Sequence, residues 1–199
     1  MLMSTTLIVV RLAVPYNEAE SGAWMADPYK RSAVRFASQL APFAGIAFLW
    51  FIGVVRNRLG ALEDRFFASV FLGSGLLFVA SLYAAAAFAE VLVESMANGH
   101  INSTNSETYD LARRLARAFL NVFGIKMAGV FMMSTSVIVL RTGILPRWLA
   151  FSGFACAAVL LVIITSWPWI ALLFPLWMLV VSACILVAEF HPRVLQRSA

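Results

Sequence analysis

Lys126 is the residue of this chain whose chemistry most needs an explanation. It lies in a long apolar run, roughly 13 Å of helix beyond Arg117 at ~1.5 Å per residue. An ammonium so far inside an apolar layer is destabilising unless it is paired, hydrated or able to reach back to the interface, so it is a functional candidate by default. The chemistry would be proton or substrate handling. The competing role is structural, as a snorkelling group or a fixed pair. Its own helical face is otherwise apolar, carrying Phe119, Val122, Val130 and Met133. Arg117, Asn121, Gly124, Ala128 and Thr135 mark the opposite face, the better packing surface. Lys126 therefore points away from the polar stripe, which favours the structural role.

A second group of ionisable residues gathers at one end of the apolar runs. Glu90 and Glu94 close the third run on the side where Arg113, Arg114 and Arg117 open the fourth. The pattern predicts ion pairs between those two helices; its sharper alternative is a mouth for a charged substrate. Glu107 and Asp110 add acidic groups without a ligand spacing that would define a metal site. Arg11, within a turn of the outer end of the first apolar stretch, can snorkel to headgroups. His100 and His191 fall on opposite sides of the layer, so they cannot share a metal. Cys156 and Cys184 sit at different depths and read as small hydrophobes rather than a disulfide. No Ser-His-Asp set, phosphate loop or haem-type histidine pair is visible, so no catalytic, metal or cofactor-binding residue is assigned and no cofactor is implied.

The elements that hold these residues are apolar helices. The runs Gln39 to Val55, Phe66 to Val93, Ala118 to Leu140, Trp148 to Ser166 and Trp169 to Ala188 are each expected to be long enough to cross a hydrocarbon layer. Segments that span must be helical, because no water is present there to satisfy backbone amides. Hydrophobic residues make up 62% of the 199 and charged ones 13%, about half the share of an average soluble domain. The net charge of +5 does not imply nucleic acid, because the basic residues sit in small groups beside apolar runs. The fold class expected is an all-α polytopic transmembrane bundle of about six helices, one domain over residues 1–199. Its spans are approximately 3–14, 39–55, 66–93, 118–140, 148–166 and 169–188.

Local signals refine this picture. Residues 3–14 are short for a span, lack a basic leader and end before Pro15, so they read as an abbreviated first helix rather than a signal peptide. Asp27-Pro28 reads as an N-cap and first helical residue, with Tyr29 to Gln39 an amphipathic extension into the second span. Pro42 and Pro175 lie inside spans and predict bends. Ser69, Gly73, Ala80, Ala84 and Ala87 share one face of the third span, a stripe that permits close helix approach. Ser95 to Thr108 is the longest polar segment and contains the glycosylation-type triplet Asn102-Ser103-Thr104. Arg56, Arg58 and Arg65, then Arg141 and Arg147, then Arg193 and Arg197 fall on one side of the layer, mostly in short connectors. That side is assigned to the cytoplasm, together with the C-terminus. Ala44-Gly45-Ile46 before Arg56 and Ala128-Gly129-Val130 before Arg141 hint at an internal duplication.

Four stretches together are familiar as a set: residues 42–50 (PFAGIAFLW), 63–67 (EDRFF), 142–149 (TGILPRWL) and 174–177 (FPLW). The chain resembles a group of small multi-spanning bacterial membrane proteins of unknown function, common in actinobacteria. The resemblance covers most of the chain after residue 24 and implies about six spans with a fuller first helix than this one. It implies no activity and transfers no functional residue. The reading that follows is a non-enzymatic protein of the cytoplasmic (inner) membrane, an accessory or structural component of a membrane assembly. Its partners would be membrane lipids and other membrane subunits or further copies of the chain. The alternative is a small transporter or lipid-handling protein using Lys126.

Overall fold

The computed structural model describes residues 27–59, 65–97, 107–143, 145–162, 170 and 172–196. Its helices are α1 (Pro28–Leu59), α2 (Arg65–Ala97), α3 (Glu107–Arg117), α4 (Ile125–Thr142), α5 (Arg147–Val162) and α6 (Leu173–Gln196). A π-helical stretch, Ala118–Gly124, joins α3 to α4 without a break, so five rods are present among the described residues. No strand occurs among them. The segments Pro28–Asn57, Phe66–Glu94 and Asp110–Thr142 are long and apolar enough to cross a membrane, while Arg147–Val162 and Leu173–Val187 are shorter apolar helices. The expected first span, 3–14, lies outside the described residues, and Arg11 and His100 lie outside with it.

The start of α1 follows its sequence signal. Asp27 Oδ1 accepts a hydrogen bond from the Tyr29 amide at 2.9 Å, which satisfies one of the unpaired donors of the first turn. The amphipathic segment and the apolar span then form one helix through Pro42. The end of α4 is set by Gly143, whose φ of 64° reverses the chain while its amide donates to the Val139 carbonyl at 3.0 Å. Pro175 corrects one expectation. It is the third residue of α6, in the first turn, where a proline removes no helical hydrogen bond and requires no bend.

The core is aromatic. Phe48 of α1, Phe71 and Phe78 of α2, Phe131 of α4 and Phe174 of α6 form one cluster. Phe71–Phe131 centroids are 4.6 Å apart, Phe78–Phe174 4.9 Å and Phe48–Phe131 5.1 Å. These rings close the centre of the bundle where four helices meet. Gly75 permits the approach, since a Cβ there would lie 2.5 Å from the Ile52 Cδ1 atom and 3.3 Å from the Phe131 ring. At the opposite side of α4, a Cβ on Gly129 would lie 2.9 Å from Leu161 Cγ, and one on Gly153 would strike Ser136 Oγ. Those two contacts run in opposite directions along the pair, so α5 packs antiparallel to α4.

The small-residue stripe of α2 lies mostly outside the surface that packs within the chain, with Gly73 and Ala84 half-buried at its edge. Ser69, Ala80 and Ala87 are exposed, and a Cβ on Gly73 would meet nothing within 4 Å. The inward face carries Phe71, Ser74, Gly75, Phe78, Ser81, Leu82 and Ala85 instead. Both faces of α2 are apolar, so burial of apolar area alone does not choose between them, whereas interlocking aromatic rings do.

Candidate functional site

Lys126 has found its partners on the neighbouring helix. Its Nζ donates to the Leu161 carbonyl at 2.6 Å and to the Leu160 carbonyl at 3.1 Å. Both oxygens belong to the last turn of α5, where carbonyls gather the negative end of the helix dipole. The ammonium therefore caps α5. Gly129, three residues on and on the same face, lets α5 come close enough for a lysine to reach its backbone. The π-helical stretch immediately before Lys126 contributes as well. Its wider turn changes the angular register between Arg117 and Lys126, so the two residues do not hold the relation an uninterrupted α-helix would impose.

The ion pairs at the charged end differ from those expected. Glu90 meets Arg35 of α1, with Nε 3.5 Å from Oε1, rather than an arginine of the fourth span. Asp110 takes Arg113 within α3 at 3.3 Å. Glu94 is exposed and has no ion pair among the described residues, and Arg117 is half-buried without one. The sequence could not place Arg35 opposite Glu90, because only the crossing of α1 over α2 brings the amphipathic extension to that level. Glu90 Oε2 is buried and has no hydrogen-bond partner among the described residues. At the other end of the bundle the Arg141 guanidinium lies 4.7 Å from the centre of the Phe67 ring, a cation–π contact joining α4 to α2.

Between these ends the buried serine and threonine hydroxyls turn on their own helices, whereas the Tyr83 hydroxyl of α2 donates to the Pro42 carbonyl of α1 at 3.1 Å. Ser74, Ser81, Ser134, Thr135 and Ser136 are buried, and each hydroxyl donates to the carbonyl four residues earlier, at 2.7 to 2.9 Å. Such bonds satisfy the hydroxyl without linking it into a chain of exchangeable protons. Trp177 Nε1 is buried beside Gly153 and has no hydrogen-bond partner among the described residues. Cys156 and Cys184 are free thiols, half-buried against the core. Among the described residues no group of three His, Cys, Asp or Glu side chains is placed to hold a metal ion.

The start of α1 and the end of α2 leave a groove of about 370 Å³, lined by Arg31, Ser32, Arg35, Phe36, Gln39 and Val93, with Pro28 at its edge. Four of these side chains are polar and lie on one face of α1. The residues nearest in sequence, Glu90 and Glu94, are accounted for by the Arg35 pair and by solvent exposure.

Among the described residues, fold and site define an all-helical bundle, with three helices long and apolar enough to cross a membrane and Lys126 capping a neighbouring helix. No protein-family model, curated protein or solved structure matches the chain.

Proposed function

We propose that the chain is a non-enzymatic, multi-pass protein of a bacterial cytoplasmic membrane. In this reading it packs as an accessory or structural component beside other membrane subunits or further copies of itself. Six spans with a short first one, and a cytoplasmic C-terminus, complete the proposal, in keeping with the resemblance to small multi-spanning bacterial membrane proteins. Two charged girdles support the placement: Arg35 and Arg56 of α1 are about 31 Å of helix apart, and Arg117 and Arg141 bracket the π-helical stretch and α4. A hydrocarbon core is ~30 Å thick. Outward between the girdles point Phe43, Trp50, Leu77, Phe123 and Phe151, each more than half exposed. A face of that composition is stable against acyl chains and not against water.

The observation that carries the non-enzymatic reading is the closure of Lys126 onto the Leu160 and Leu161 carbonyls. The internal charge then has a structural task, and the Phe48–Phe71–Phe131 rings fill the space a polar pathway would need. The outward small residues Ala80 and Ala87, with Gly73 open beside them, give a neighbour of the same environment a close approach. Cysteines placed singly at Ser69, Gly73 and Ala80, in a chain lacking Cys156 and Cys184, test this by crosslinking in the membrane. Crosslinks on that face and not at Leu77 are expected. A chain that stays monomeric and co-purifies with nothing contradicts the reading.

The second reading, a small transporter or lipid-handling protein, requires Lys126 to leave α5 and meet a ligand. Lys126→Met then abolishes flux or ligand-dependent thermal stabilisation, whereas the structural reading predicts reduced stability alone.

A further inference from the structure

We infer that the groove between the start of α1 and the end of α2 is a binding site for an anionic phospholipid, its phosphate held by Arg31 and Arg35. The inference rests on the membrane placement proposed above and goes beyond it by naming a ligand class and the residues that select it.

Three observations converge. Arg31 and Arg35 are one helical turn apart on the same face, so their side chains rise side by side along one wall of the groove. Two guanidiniums at that spacing can grip a phosphate through several charge-assisted hydrogen bonds, with Ser32 and Gln39 adding neutral donors. Among the described residues no carboxylate pairs with Arg31. Arg35 touches Glu90 through Nε at 3.5 Å, with both side chains more than a third exposed, so its terminal nitrogens can turn to an anion without breaking a buried pair. Of the other nearby carboxylates, Asp27 is engaged with the Tyr29 amide, and Glu94, next to Val93, is exposed to solvent, where its charge is screened.

The second observation is the groove's apolar side. Phe36 and Val93 line it beside the arginines. From Phe36 an outward stripe of Phe43, Trp50 and Val54 continues down α1 at spacings close to whole turns, each residue more than half exposed. A soluble phosphate would use only the basic half of this surface. A phospholipid uses both halves, with its headgroup on the arginines and its acyl chain along the stripe.

The third observation is level. The groove lies where the amphipathic part of α1 gives way to its apolar part, about 31 Å along the helix from Arg56. That is the depth of a headgroup phosphate, on the face opposite the one assigned to the cytoplasm, and basic pockets between transmembrane helices hold anionic headgroups by the same charge pairing.

The test uses the full chain in a neutral detergent. Dioleoyl phosphatidylglycerol, dioleoyl phosphatidylcholine and glycerol 3-phosphate are titrated separately while the melting temperature is followed. Phosphatidylglycerol should stabilise the wild type at lower concentration than phosphatidylcholine, with glycerol 3-phosphate ineffective over the same range. Arg31→Gln, which leaves the Arg35–Glu90 pair intact, should weaken the phosphatidylglycerol response about ten-fold, the loss of one charge-assisted contact. Arg56→Gln, at the other girdle, should leave the response unchanged. Equal responses to the two lipids, or an unchanged response in Arg31→Gln, overturn the site. A response to glycerol 3-phosphate as strong as that to the lipid overturns the lipid assignment in favour of a free phosphate ligand. The membrane reading fails separately, if the chain stays dispersed and folded with no detergent at all.

Discussion

Replacing Lys126 with methionine removes both bonds to α5 while keeping the length and most of the volume of the side chain. Each hydrogen bond from a charged donor is worth ~1.5–3 kcal/mol, so the two carbonyl contacts give roughly 3–6 kcal/mol gross. Against this stands the penalty of a lysine in the layer, ~2.5–3.5 kcal/mol near a helix centre, which methionine relieves. The difference is a net loss of about 1–2 kcal/mol, near the ~0.6 to ~1.7 kcal/mol measured for interhelical hydrogen bonds in membranes. Reversible unfolding in mixed micelles with increasing dodecyl sulfate, followed by circular dichroism, measures it. Hydrogen exchange over residues 155–162 should rise in the same variant, because the end of α5 loses its cap. Lys126→Gln, which keeps a neutral donor, should fall between wild type and Lys126→Met. A Lys126→Met chain as stable as wild type or more so, with exchange in α5 unchanged, would refute the capping role.

Other perturbations have opposite expected signs. Gly153→Ala should destabilise by about 1–3 kcal/mol, because the new methyl meets Ser136 Oγ and the Trp177 ring; Gly73→Ala, with nothing within 4 Å, should be neutral or stabilising by less than ~1 kcal/mol. The same unfolding titration compares them. Phe131→Ala removes a fully buried ring packed on Phe48, Phe71 and Phe174, and should lower stability by about 3–5 kcal/mol with loss of near-ultraviolet dichroism. Arg35→Gln should change stability by less than ~1 kcal/mol, since its pair with Glu90 is more than a third exposed on both sides.

Helix existence and several boundaries were legible in the sequence because they depend on local chemistry. The Asp27 cap needs only its own turn, and the apolar length of 66–93 fixes α2 whatever it packs against. Which face turns inward was legible in α4, where Ala128 and Thr135 are buried and Met133 exposed, and not in α2. In water the apolar face of a helix must be the buried one, but a span is apolar all round, so Gly73 and Gly75 look alike in sequence while only Gly75 meets a neighbour. The role of Lys126 was half legible. Its isolation from polar side chains pointed to a structural partner, yet that partner is backbone, which no side-chain pattern reveals. Within the π-helical stretch Ala118–Gly124 the wider turn leaves Asn121, expected on the packing face, exposed, while Gly124 on that face is buried. The span expected at 169–188 puts Pro175 well inside a helix, whereas α6 begins at Leu173 and holds it in the first turn. The two Ala-Gly motifs gained a shared meaning: Gly45 lies against Tyr83 of the helix that follows it, and Gly129 against Leu161 of the helix that follows it.

The central claim is that acyl chains surround α1 between its two basic ends. Spin labels at positions 31, 43, 50 and 56, in a cysteine-free chain reconstituted into vesicles, test it by collision with oxygen and with a water-soluble nickel chelate. The account predicts oxygen-dominated collisions at Phe43 and Trp50 and chelate access at Arg31 and Arg56. Chelate access to positions 43 and 50 equal to that at the two arginines would contradict it.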